Sequence, residues 1–154
     1  MINFINTKLT THATSAGAMF LYGYLTDIHL LIKDNFPIIQ VLPIKIRDSL
    51  QYEEEVLQQF ETYVHYIYER DKTSIQNKNS KDRQDVILED RNTAWDNANV
   101  VLKNFIKYVN NDSNLQVINN ELNPELITEG LNLENTIALK VILSIRVNCF
   151  SSND

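Results

Sequence analysis

Apolar residues recur at helical spacing across the middle of the chain, from Leu50 to Val109, with one polar interruption. Leu57, Phe60, Val64 and Ile67 follow one another at steps of three and four, widened by Val56 and Tyr63. Glu53, Glu54, Glu55, Gln58, Gln59, Glu61 and Glu69 fill the remaining positions. An apolar stripe with a charged back predicts an amphipathic helix over 50–70. After the Asn-rich break from Asp71 to Ser80, Leu88, Trp95, Ala98, Leu102, Phe105 and Val109 resume the pattern, flanked by Ile87, Ala94, Val101 and Ile106. This predicts a second long helix whose apolar seam requires a partner. Ser80, followed by Asp82 and Asp85, suits its start, and Lys103 and Lys107 suit the negative end of its dipole.

Around this hairpin the flanking segments are read as packing. Ala16 to Ile32 places Ala13, Gly17, Phe20, Leu21, Tyr24, Ile28, Leu31 and Ile32 on one helical face, predicting a buried first helix that ends near Asn35. Thr26, Asp27 and His29 interrupt it, and its unbroken apolar part is too short for the roughly 20 residues of a membrane span. Phe36 to Ile46 is bounded by Pro37 and Pro43, which exclude a helix interior. An extended connector over Ile38, Ile39, Val41 and Leu42 is expected there, with a short edge strand as the alternative. Asn123, Pro124 and Glu125 make a helix start and Gly130 a stop, predicting a short helix between them. Over 133–150 two periods compete. Ile137, Leu139, Val141, Leu143, Ile145 and Val147 alternate like a strand, while Leu133, Ile137, Val141, Ser144 and Ile145 share a helical face. A strand needs a ladder partner, and only Ile38 to Leu42 or Ile2 to Phe4 offers one in this reading, so helix is favoured. The expected fold is all-α: a small bundle of about four helices in a single domain over 1–154.

Leu88-Glu89-Asp90-Arg91-Asn92 leading into Trp95, together with Glu134-Asn135-Thr136-Ile137-Ala138-Leu139, resembles an uncharacterised all-helical family found in Bacteroidetes bacteria. That family carries aspartate where Asn92 stands here. The resemblance covers residues 13 to 146 and implies an all-helical fold with no known activity.

Composition narrows the function classes. A chain of 154 residues with 44% hydrophobic and 22% charged residues is that of a globular protein. Its net charge of −6 argues against nonspecific nucleic-acid binding, which needs excess Lys and Arg to displace counterions. Cys149 is the single cysteine and forms no intramolecular disulfide, which favours a reducing cytoplasm and a buried thiol. Met1 to Thr11 lacks the basic and apolar regions of a signal peptide.

Of the candidate chemistry, Glu61, His65 and Glu69 fall at i, i+4, i+8 on the predicted second helix, a spacing that bundle metal sites use. The pattern of Glu followed by His three residues later is missing, so a solvated helix face is expected and no residue is assigned to a metal, a cofactor or catalysis. His12 and His29 have no recognised spacing, and a nucleophilic triad lacks a sequence warrant. Tyr52, Tyr63, Tyr66 and Tyr68 cluster, with Tyr63 on the stripe and Tyr66 turned from it; snorkelling tyrosines at the bundle edge are the favoured reading and an interface anchor the alternative. Three glycines leave almost no material for a phosphate-cradling loop. The expectation is a non-enzymatic protein that acts by protein–protein association, self-association being the simplest form. The Leu88 to Val109 seam or the Tyr66 face would be its contact surface. The alternatives are a metal-binding bundle using Glu61, His65 and Glu69 with acids such as Glu89 and Asp96, and a small acidic inhibitor of a partner protein.

Overall fold

The computed structural model describes the backbone of residues 2–23, 37–42, 55–67, 80–127 and 136–148, with side chains placed at 4–23, 37–42, 58–66, 91–127 and 137–148. In chain order these form α1 (Ile2–Ser15), β1 (Met19–Tyr22), β2 (Ile38–Val41), β3 (Glu55–Ile67), α2 (Ser80–Asn110), β4 (Leu115–Val117), β5 (Glu125–Ile127) and β6 (Thr136–Asn148). The strands make one mixed sheet in the order β1-β2-β3-β6-β4, with β5 also paired to β6. Among the described strands β1 and β2 run parallel and the other pairs are antiparallel. The all-helical bundle expected from periodicity, and implied by the Bacteroidetes resemblance, is therefore corrected to an α/β fold.

The central correction is β3. Phe60 and Val64 are four residues apart, and a step of four returns to the same face in a strand as well as in a helix. Along this run Gln59, Glu61, Tyr63 and His65 alternate with Gln58, Phe60, Thr62, Val64 and Tyr66. β-branched and aromatic residues crowd this run, which suits a pleated surface. What decides the outcome is β6, which pairs with β3 over thirteen consecutive positions from Glu55↔Asn148 to Ile67↔Thr136. The alternation from Ile137 to Val147 is thus a strand, not the favoured helix, and its ladder partner is the segment read as helix.

Three smaller expectations are also corrected. The first helix does not run from Ala16 but occupies Ile2–Ser15 and stops at Gly17, whose φ is +82°. Gly17 N–H donates to Thr14 O at 3.0 Å and Ala18 N–H to Ala13 O at 2.9 Å, the paired bonds of a left-handed helix stop. Glycine occupies the position where a side chain would be strained. The connector at Ile38–Val41 is a strand held on both sides, by β1 and by β3, rather than at an edge. The short helix expected after Pro124 is instead β5 on β6. Read as one first helix, Ala16–Ile32 includes Tyr24 to Ile32, which lie outside the described residues.

α2 agrees with the periodicity. It begins at Ser80 and buries Ala94, Ala98, Leu102, Phe105 and Val109. Its partners are α1 and the sheet rather than a second hairpin helix. Ile39 and Val41 of β2, Phe60 and Val64 of β3, Leu115 of β4 and Leu139, Val141, Leu143, Ile145 and Val147 of β6 meet Ile5, Leu9 and Ala13 of α1 and the α2 seam in one core. Among the described residues two helices lie on one face of the sheet as a two-layer sandwich, and the strand side chains described on that face are apolar apart from Gln58, Thr62 and the tyrosines Tyr22 and Tyr66. Among the described residues no helix is long and apolar enough to cross a membrane.

Candidate functional site

The sheet's other face, turned away from α1 and α2, carries the odd positions of β3. Toward β2 it is sealed. Ile38, Gln40, Tyr63, His65 and Ala138 are all buried there, with Leu42 and Ile127 packed against Tyr63 and Ala138. The register sets Gln40 opposite Tyr63 and Ile38 opposite His65. Gln40 Nε2 donates to Gly23 O at 3.3 Å, so the amide presents its oxygen to the imidazole, and His65 Nε2–H donates to Gln40 Oε1 at 2.7 Å. That places the proton on Nε2 and leaves Nδ1 as a bare acceptor, with no partner among the described residues. Burial pushes the imidazole down to about 4, so His65 is neutral at pH 7.

The network continues outward along β3. The Tyr63 ring stacks on His65 with centroids 5.9 Å apart, and its hydroxyl donates to Glu61 Oε1 at 2.6 Å. Lys140 Nζ lies 3.1 Å from the same oxygen and 5.9 Å from the Tyr63 ring centroid. The Tyr63 hydroxyl and, after it, Lys140 hold the Glu61 carboxyl below its ordinary value against the effect of burial. Burial first, then the bond to Glu61, pushes the Tyr63 phenol up.

A second polar cluster joins α1 to the turn after α2. His12 Nε2 lies 2.7 Å from Asp112 Oδ2, and Lys8 Nζ 3.2 Å from Oδ1. Asn114 N–H also donates to Asp112 Oδ1 at 2.9 Å. Burial pushes the Asp112 carboxyl up, but Asn114, His12 and Lys8 together outweigh it and hold the group low. Beside this turn lies an open cleft of about 450 Å³ lined by Asn110, Asp112, Ser113, Asn114, Leu115, Gln116, Arg146 and Asn148. Much of its polar lining already serves the fold: Asn110 Oδ1 accepts from Val117 N–H, and Asn114 Nδ2 donates to Asn148 O. Ser113 Oγ donates to Asn114 Oδ1 at 3.4 Å, not to His12, so among the described residues no relay links a nucleophile to the His12–Asp112 pair.

The sequence-predicted candidates are redistributed by this geometry. Glu61 and His65 share a face, but four residues of extended strand separate them by roughly 13 Å with Tyr63 between. They do not converge on one ion, and no group of three His, Cys, Asp or Glu side chains does so among the described residues. Glu69, His29, Tyr52, Tyr68 and Cys149 lie outside the described residues. Asp96 is exposed on α2, and Glu89 is placed there by its backbone. The proposed contact surfaces are both consumed by the fold: the α2 seam is buried, and Tyr66 packs against the same core. Gln40, Lys140 and Asp112 escaped the sequence reading. The available signal was a lone polar residue within an apolar run, as in Ile38-Ile39-Gln40-Val41 and Leu139-Lys140-Val141.

Away from β2, the outer face opens. Gln59, Glu125 and Arg146 are exposed, Glu61, Lys140 and Ser144 partly so, and Ile142 at the middle of β6 is 54% exposed. Comparison of the chain with family models, with curated proteins and with solved structures finds no match.

Proposed function

We propose that this protein acts by associating with protein, using the open part of the sheet's outer face, and performs no chemistry of its own. The observation that supports the reading is Ile142. A large aliphatic side chain stands more than half exposed at the centre of the longest ladder, while Leu143 beside it is buried. Soluble surfaces tolerate scattered apolar residues, but one set on a rigid, fully paired strand supplies contact area with little ordering cost. The reading places the chain in the cytoplasm, where its single cysteine stays reduced.

The acidic inhibitor expected as an alternative is a special case of the same reading, with a foreign partner. The test is affinity capture from lysate together with light scattering of the purified protein, for wild type and Ile142→Lys. Wild type is expected to self-associate or to retain a protein that Ile142→Lys releases. A wild type that stays monomeric and retains nothing the variant loses would sink the reading.

A further inference from the structure

We propose that β1 pairs with β1 of a second copy, antiparallel across a two-fold axis at Leu21, so that the two sheets join into one. This uses a surface different from the outer face and does not rest on the reading above. The backbone sets the site. Met19 N–H donates to Pro37 O at 3.0 Å and Gly23 N–H to Val41 O at 3.1 Å, so the odd positions of β1 face β2. Strand backbone groups alternate in direction, and Phe20 and Tyr22 therefore turn their N–H and C=O to the outer edge. Among the described residues no strand takes that edge, which ends the sheet order.

Other edges of the sheet are protected. On β4 the outward Val117 N–H donates to Asn110 Oδ1 at 2.8 Å. In the gap between β4 and β5, Asn119 Nδ2 donates to Ile142 O at 2.8 Å and Ser144 N–H donates to Asn119 Oδ1 at 2.7 Å, so an amide stands in for a strand. β5 follows Pro124 and begins with Glu125, and the part of β3 that β2 does not reach begins with Glu55. Proline, charge and covering groups are the means by which edges refuse a further strand. From Ala16 to Gly23 the chain has neither proline nor charge, and Met19 and Tyr22 are 39% and 36% exposed. The second copy is selected by complementarity. Setting Phe20 opposite Tyr22 of the other copy lets each pair exchange both N–H···O bonds, and the two-fold repeats the pair, so every outward group is met. The same register sets aromatic beside aromatic and Leu21 against Leu21 on the axis, and it lays the exposed Met19 opposite Gly23, where no side chain competes for room. Each copy carries a net charge of −6, yet this ladder brings no like charges together.

A ladder of 4 residues makes a small interface of the weak kind, so sedimentation equilibrium is run on the whole chain over a concentration series. Wild type is expected to dimerise as concentration rises. Tyr22→Pro removes an outward N–H and leaves the bonds that the odd positions make to β2, and it should raise the dissociation constant by about tenfold or more. Leu21→Lys and Leu21→Glu each set like charges opposite one another on the axis. Each alone should be monomeric, and an equimolar mixture of the two should dimerise again, a recovery that misfolded variants could not give. Ile142→Lys, on the outer face, should overlay wild type. A wild-type monomer at every concentration overturns the second copy, even where that monomer captures a foreign strand that Tyr22→Pro releases. A dimer that Tyr22→Pro leaves intact overturns the edge, and if Ile142→Lys dissociates that dimer the outer face is the contact instead. A mixture of Leu21 variants that keeps wild-type far-ultraviolet dichroism yet stays monomeric overturns the pairing about Leu21.

Discussion

The two ends of the outer sheet face lie on the same pair of strands and share one unbroken ladder, yet one is sealed and the other open. At the β2 end, Gln40 and His65 are without exposure and Tyr63 is nearly so. A few residues along, Gln59, Ile142 and Arg146 face solvent. Backbone pairing is equal at both ends, so the difference lies in the side chains and what covers them. At the sealed end each polar group must find its partner inside the protein, because an unmet buried donor or acceptor costs about 1–3 kcal/mol. At the open end water can meet the same need, so a polar side chain there does not depend on a partner inside the protein. Folding constrains the first region and function can act on the second.

The largest effect expected is at neighbouring residues on opposite faces of β6. Leu143→Ala should cost about 2–5 kcal/mol in urea unfolding, as buried leucines do, while Ile142→Thr should stay within about 0.5 kcal/mol. A large loss at Ile142 would show that its end of the face is not open.

Next comes acid. The folded pKa of His65, about 4, lies below the ordinary 6.5. The unfolded chain therefore takes up the proton first as pH falls. The stability from keeping this imidazole neutral is complete above about pH 6.5 and is lost progressively toward pH 4, by up to about 3 kcal/mol. Glu61 and Asp112, whose carboxyls are held low, add their losses only as pH falls below their ordinary 4.5 and 3.8. Urea melts across this range should show the slope in wild type, and His65→Gln should flatten its upper part.

Gln40→Leu tests the sealed network directly. Without the amide oxygen, His65 Nε2–H loses its acceptor, and a loss of about 1–3 kcal/mol is expected at neutral pH. A neutral outcome would show that the amide does not hold the imidazole. The smallest effect has the opposite sign. Gln58 is buried on the helix-covered face opposite Ile145, with Nε2 unpartnered among the described residues. Gln58→Met should raise stability by about 1 kcal/mol in the same urea assay, because it removes the unmet donor at nearly constant volume.

Much of this architecture can be read locally, but unevenly. The Gly17 stop shows why the first helix was misplaced: a helical pattern continued through Ala16 to Ile32 ignores that glycine after a helix end takes a left-handed conformation. The alternation from Ile137 to Val147 is visible in the sequence, but its partner β3, which carries a helical period as well, is not. The candidate site was less legible still. Helical spacing groups His65 with Glu61 and Glu69, whereas its neighbour in the fold, Gln40, is 25 residues away in sequence. Asp112, the partner of His12, is 100 residues away.

By itself the sequence determined α2, with its seam from Ala94 to Val109 and its start at Ser80, and it determined an acidic, glycine-poor chain. A helix bonds each backbone group to one four residues off, so a local pattern suffices to specify it. It could not by itself determine β3. Phe60 and Val64 satisfy both periods, and a strand's backbone groups must find partners in another segment. That partner, β6, begins 69 residues after β3 ends. Only the tertiary structure decided that these two stretches pair, and with them which end of the outer face is sealed around His65 and which leaves Ile142 exposed.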